Sequence, residues 1–226
     1  LTTGKPVMIG FNRRFDPHFR TLKAAVDNDE IGKPELLAIT SFDPAPPPIS
    51  YVKTSGGLFR DMMIHDFDMA NFLTGETPVT IAATGSAIVD PEIRSTGDID
   101  TAVVTMTYAD GRITVIKNSR RAVYGYDQRV EILGSKGLLQ AQNVLENTVV
   151  KSTARGVNSA KPTFFFLERY LPAYQAEWAA FAEALETGST LLVTLEDGVV
   201  ALAIAEAATR SLATGSPVNL ENLGAE

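Results

Sequence analysis

An α+β fold, built on a large and mainly antiparallel open sheet with helices packed on one face, is what this sequence predicts. Three observations carry the prediction. Residues 79–150 form a β-rich centre divided by turn chemistry, of which Asp110-Gly111 between two alternating runs is the strongest hairpin signal. A helical segment precedes that centre, and two more with 3.6-residue periodicity follow it. Strands grouped together and helices grouped around them favour one covered sheet face over a doubly wound parallel sheet.

The elements follow in order. Residues 7–11 are continuously apolar and predict a short buried strand; Phe19, Leu22, Ala25 and Val26 then recur at helical spacing as far as Gly32-Lys33-Pro34. Residues 36–42 predict a second strand. Asp43-Pro44 through Pro48 cannot donate to a ladder and predicts a loop ending at Ser55-Gly56-Gly57. Residues 58–73 predict one helix, closed by Gly75 in a left-handed cap and by Pro78. The strands of the centre are expected at 79–89, 101–108, 113–119, 128–133, 138–142 and 148–150, with Gly134-Ser135-Lys136-Gly137 as a second reversal. A polar stretch at 151–162 leads to helices at 170–185 and 195–212, the latter with a capping box from Thr194 and Asp197, and then to a tail.

Composition narrows the function. The 226 residues carry a net charge of -7 with no Cys and two His, so no disulfide framework, thiolate nucleophile or thiolate metal site is available. Phosphate-backbone binding needs clustered Lys and Arg, and Arg120-Arg121 is too small a patch for it. No run reaches the length of a membrane span and no secretory pattern opens the chain, so a reducing cytoplasm is expected. The chain opens at Leu1 and reaches a strand-like run at once, which reads as a chain cut in its middle.

The chemistry concentrates in Ser55 to Leu73. At about 100° per residue, Asp61, His65 and Asp68 fall within about 60° of one another, a polar stripe on an otherwise apolar helix that suits a cleft. Asp61 four residues before His65 allows a carboxylate to raise and orient an imidazole for proton transfer near neutral pH. An ordinary ion pair with a solvated Asp68 is the bland alternative, and an Asp/His metal site a third. Tyr124 and Tyr126 share one face of an extended strand, where core cover is the more frequent role. Asn12 and Arg13 follow the first strand at a frequent ligand position, and Arg14 with Asp16 can form a surface pair.

With those residues in view, the chain resembles the Gfo/Idh/MocA oxidoreductases, and among them the inositol 2-dehydrogenases. The resemblance rests on Gly10-Phe11-Asn12-Arg13-Arg14-Phe15-Asp16, on Ile31-Gly32-Lys33-Pro34, on Gly56-Gly57 followed by Asp61-x-x-x-His65-x-x-Asp68, and on Tyr124-Gly125-Tyr126-Asp127. It implies catalytic roles for Asp61 and His65, and polyol contacts at Asn12, Arg13, Asp43, Asp68, Tyr124 and Tyr126. It further implies NAD, or NADP, as cofactor, a polyol substrate, no metal, and a homodimer or homotetramer. Residues 1–34 would then be the end of a nucleotide-binding domain with its crossing helix, and 35–226 the substrate and oligomerisation domain. The family's Glu-Lys-Pro triplet and G-x-G-x-x-G turn are both absent, so the resemblance places the catalytic Lys and the main NAD contacts outside this chain. A non-catalytic module that binds a polyol or mediates oligomerisation, and a metal-dependent isomerase or hydrolase, are the competing readings.

Overall fold

A computed structural model describes residues 4–220; the start at Leu1 and the last residues of the expected tail lie outside them. Alternation of buried and open side chains builds one seven-stranded sheet, in spatial order β6 (Gly137–Ala141), β5 (Asp127–Gly134), β1 (Pro34–Phe42), β4 (Ile113–Ser119), β3 (Thr101–Thr107), β2 (Thr80–Ser86) and β9 (Val218–Asn219). Every neighbouring pair is antiparallel except β1 with β4, which run parallel with Ile39 beside Ile116. The Asp110-Gly111 turn closes the β3–β4 hairpin with Gly111 at φ 88°, a conformation that costs glycine little. The fold class is therefore the α+β arrangement the sequence predicts.

The inward positions of β3 to β5, among them Val104, Met106, Ile116, Val130 and Ile132, are buried beneath helices on that face alone. These are α4 (Ile64–Thr74) and α7 (Leu195–Thr214), whose Phe67, Met69, Ala201, Ala205 and Ala208 join the same core. Small residues let α7 approach closely enough for Ser211 Oγ to accept from the Ala83 amide at 2.9 Å. That bond satisfies a strand N–H beyond the reach of the two-residue β9. Thr194 and Asp197 form the expected capping box. The helix α1 (Pro17–Asp27) starts on Asp16, which accepts from the His18 and Phe19 amides, and contributes Phe19 and Leu22 to the same core. On the opposite sheet face one cross-strand row, Leu138, Leu133, Leu36 and Ile113, stays between 39% and 48% exposed.

Several expectations need correction. Residues 7–11 form no strand: no other strand lies beside them among the described residues, and a lone strand leaves its backbone groups without partners. The helix expected over 58–73 is broken into α3 (Leu58–Asp61) and α4. Met62 and Met63 are both buried, and the amides of both converge on the Leu58 carbonyl at 3.0 Å, a widened turn that changes the helical phase. After the prolines, residues expected as loop form α2 (Ile49–Ser55). Residues 87–89 leave the sheet because buried Asp100 accepts from the Ile88, Val89 and Asp90 amides, and α5 (Pro91–Ser95) follows. Instead of one strand at 148–150, β7 (Val150–Thr153) and β8 (Gly156–Ser159) form a separate exposed hairpin inside the stretch expected to be irregular. The long helix α6 (Phe166–Thr187) begins four residues earlier than its periodicity indicated.

Candidate active site

The parallel pair places the site. Asp43 directly follows β1 and Arg120 directly follows β4, so their side chains leave the carboxyl ends of adjacent strands running the same way. Two backbone bonds tie these ends together, from the Asp43 amide to the Ser119 carbonyl at 2.9 Å and from the Ala122 amide to the Asp43 carbonyl at 2.7 Å. Beyond them opens a cavity of about 680 Å³, walled by the 44–48 proline strap, by Tyr51 on α2, by Asp61, Met62 and His65, by Asn12 and Arg13, and by Phe164, Phe165, Phe166, Tyr126, Tyr170 and Tyr174.

Asp61 is the most constrained carboxylate in it. Tyr51 Oη donates to Asp61 Oδ1 at 2.6 Å, and Arg120 Nη2 donates to Oδ2 at 2.8 Å. The Arg120 side chain is only 2% exposed and lies between two carboxylates, its Nη1 being 3.9 Å from Asp43. Burial pushes the Asp43 carboxyl up to about 6, partly offset by the Arg120 and Arg13 charges and reinforced by Asp61 and Asp66.

His65 departs from expectation. It makes no hydrogen bond with Asp61, because the break at Met62 destroys the i,i+4 alignment and Asp61 is engaged elsewhere. Its Nδ1 is buried without a hydrogen-bond partner, and Phe11 packs edge-on at 5.8 Å between centroids. Burial, helped by the Arg13 charge, lowers His65 to about 3 rather than raising it, so the imidazole is neutral at pH 7.

Arg13 forms the floor. It is ion-paired to fully buried Asp66 and donates to Ser41 Oγ at 3.2 Å, while Asn118 Nδ2 donates to Asp66 Oδ2 at 2.8 Å. Ser41 Oγ donates in turn to Gln128 Oε1 at 2.9 Å. Asn12 is buried beside the cavity with its Nδ2 unpartnered.

Of the residues singled out in the sequence, the structure gathers Asn12, Arg13, Asp43, Asp61, His65 and Tyr126 around one cavity. It does not bring Asp68 or Tyr124 there. Asp68 is buried in a fork with Arg14, whose Nη2 donates to it at 2.6 Å and to Asp197 at 2.8 Å, so Arg14 clamps α4 to α7 instead of pairing with Asp16. Asp16 is ion-paired to buried Arg169. Tyr124 is half-exposed and donates to Asp127 at 2.6 Å. It shares no strand face with Tyr126, because Gly125 at φ 133° turns the chain between them. Tyr51, Tyr170 and Tyr174 also line the cavity and belong to none of the motifs above, and Arg120, noticed in the sequence only as half of a small basic pair, lines it too; the Phe164-Phe165-Phe166 run is the readable sign of an aromatic wall.

A second cavity of about 510 Å³ lies between α2, α3 and α7, lined by Gly56, Asp98, Ile99 and Leu212 among others. Its lining holds no His and a single carboxylate, Asp98. Among the described residues no three His, Asp or Glu side chains are grouped to hold a metal ion, and no helix is long and apolar enough to cross a membrane.

An open, mostly antiparallel sheet with helices on one face, and a cavity with carboxylate, arginine and imidazole groups at one end, defines the class: an α+β domain with a candidate ligand site at the strand ends. The chain belongs to the Gfo/Idh/MocA oxidoreductases, matching the family's C-terminal alpha/beta domain over residues 23–220. It is 50% identical over 214 residues to a myo-inositol 2-dehydrogenase of Thermotoga maritima, covering 95% of this chain and 64% of that one. Among solved structures it resembles a myo-inositol dehydrogenase from Corynebacterium glutamicum, at TM-score 0.91 and 48% identity, covering 95% of this chain and 64% of the other. It also resembles a scyllo-inositol dehydrogenase from Lactobacillus casei with bound NAD(H) and scyllo-inositol, at TM-score 0.86 and 32% identity over 94% of this chain and 64% of that one. The chain thus spans a little under two thirds of these relatives.

Proposed function

We propose that this chain supplies the polyol-binding and proton-handling part of an NAD-dependent inositol 2-dehydrogenase that oxidises myo-inositol to 2-keto-myo-inositol. The observation that carries the reading is the cavity's mixture of partners: unpartnered Asn12 Nδ2 as donor, a neutral His65 as acceptor, and the carboxylates Asp43 and Asp61, all facing an aromatic wall. A cyclitol presents hydroxyls that both donate and accept around a ring whose C–H faces suit aromatic surfaces. The inositol dehydrogenases among the relatives support the same substrate class.

Oxidising a secondary alcohol requires loss of the hydroxyl proton together with a hydride. His65 takes the proton, because a neutral imidazole is the cavity's nitrogen base. Asp61 orients the substrate: each carboxylate oxygen keeps acceptor capacity after binding Tyr51 or Arg120, enough for a neighbouring hydroxyl. Asp43 binds a second hydroxyl from the other strand end. Arg13, committed to Asp66, shapes the floor and disfavours a charged His65. NAD supplies the hydride acceptor, and the residues of this chain do not fit it: no glycine-rich strand-turn-helix cradle occurs in the sequence. Residues 1–34 then connect to a nucleotide-binding part, and the chain alone has no turnover.

The outer sheet row of Leu36, Ile113, Leu133 and Leu138, a cross-strand apolar row opposite the helix-covered face, pairs two copies into a homo-oligomer. Light scattering at micromolar concentration checks this, and a monomer refutes it. Two measurements test the function. Calorimetry of this chain against myo-inositol should show binding, and a protein extended to the relatives' length should form NADH from myo-inositol. Binding without NADH formation would favour the non-catalytic polyol module, which the missing NAD cradle also suits; no binding would refute the polyol reading.

A further inference from the structure

Asp61 is held from two sides by side chains from other elements. Tyr51 reaches it from α2 at 2.6 Å and Arg120 from the end of β4 at 2.8 Å, so one carboxylate oxygen is engaged from α2 and the other from the sheet end. His65 stands four residues further along the same segment with its buried Nδ1 unpartnered. A carboxylate within about 4 to 6 Å of an imidazole ordinarily favours its protonated form. We propose that Tyr51 and Arg120 are positioning residues that occupy both oxygens of Asp61, keep that carboxylate from turning onto His65, and so hold the imidazole in its neutral form.

The proposal deepens the polyol-oxidation reading and rests on it for the meaning of a neutral His65. The groups around the pair are consistent with it. Asp61 faces Tyr51 from α2, Arg120 from β4 and Asp43 from β1. His65 faces Arg13 from the 12–15 turn, with Asp66 beside it engaged by Arg13 and Asn118, and Tyr126 and Tyr170 across the cavity. Burial and the Arg13 charge lower His65, and its buried Nδ1 has no hydrogen-bond partner. Arg120 is buried at the strand end and holds the carboxylate from within; Tyr51 is 49% exposed and closes it from the mouth.

The test is an NMR titration of the two histidine rings of this chain, His18 at the α1 terminus serving as internal control. Tyr51→Phe changes no charge and touches an exposed side chain, so it is the deciding variant. Freed on one side, Asp61 reaches His65 and raises its midpoint by about one pH unit or more toward the ordinary value near 6.5, while His18 does not move. Arg120→Met raises it further, and Arg120→Lys, which keeps the charge, restores part of the wild-type value. A folded Tyr51→Phe whose His65 midpoint equals that of the wild type overturns the proposal, whether or not Arg120→Met folds. The same spectra recorded with myo-inositol separate the two ideas: if no cavity resonance moves in the wild type, the polyol reading fails, while the His65 midpoints still decide the positioning role.

Discussion

Replacing Asp66 with alanine leaves the Arg13 guanidinium buried with only Ser41, at 3.2 Å, as hydrogen-bond acceptor, and deprives Asn118 Nδ2 of its partner at 2.8 Å. Removing one member of a buried ion pair costs roughly 3 to 5 kcal/mol, and an orphaned neutral donor adds about 1. About 4 to 6 kcal/mol is expected, which for a chain of this size lowers Tm by roughly 8 to 24 °C. Far-UV circular dichroism against temperature and urea is the suitable assay, because the single tryptophan, Trp178, is 70% exposed and reports little of the core. Burial raises the Asp66 carboxyl despite Arg13 and Asn118, so the intact pair is worth little against an apolar replacement. The double variant Arg13→Met/Asp66→Leu should accordingly recover to within about 1 kcal/mol of the wild type. If Asp66→Ala alone loses less than about 1 kcal/mol, water reaches the guanidinium and the account of the floor is wrong.

In a protein of the relatives' full length, His65→Asn should leave the melting profile nearly unchanged and lower kcat roughly 10²- to 10⁴-fold, the usual worth of a placed general base; retention of half the wild-type kcat with chemistry rate-limiting would move the base elsewhere. With His65 near 3 and Asp43 near 6, the acidic limb of kcat/KM should fall near pH 6 and vanish in Asp43→Asn, whereas a limb unchanged in that variant refutes the assignment. Asp43 titrates higher folded than unfolded, so its contribution to stability is fully present below about pH 4 and lost as pH rises through 6. Asp43→Asn should therefore stabilise the fold at pH 7 by at most about 3 kcal/mol and not at pH 3, while weakening polyol binding; chemical denaturation at the two pH values checks the sign. Gly125→Ala would set a Cβ 2.8 Å from the Pro162 carbonyl oxygen at a φ of 133°, and should cost about 1 to 3 kcal/mol and loosen the Phe164 to Phe166 wall, seen as weaker ligand binding; wild-type stability and affinity would show that the turn yields.

The sheet was legible because its strands alternate and its hairpins carry their own turn residues. Both are local signals, and the Thr194 and Asp197 capping box is equally local. The insertion of β1 between β4 and β5 leaves no such trace, since pairing partners distant in sequence are chosen by packing. The site was legible as a set of residues and less so as a geometry. Helical phase brought Asp61 and His65 to notice, but the phase is broken by two buried methionines that sequence periodicity counts as ordinary helix. The partner that matters to Asp61 is Arg120, 59 positions away, and no spacing rule connects them. Asp68 fits the stripe as well as the other two and is taken by Arg14, a pairing decided by how the 12–15 turn meets α4. The direction of the His65 shift could not be read from a neighbouring carboxylate, because burial governs it.

The single parallel pairing in the sheet also bears on how such a domain can change over time. An antiparallel neighbour begins where its partner ends, so the segments leaving two such strands part company. Strands β1 and β4 finish side by side, and the stretches that follow, one rich in proline and the other running from Arg120 to Tyr126, are free to vary in length and chemistry while the ladders behind them stay in register. New ligand preferences can therefore arise by exchanging these two excursions between relatives, and a grafted pair should carry its selectivity with it.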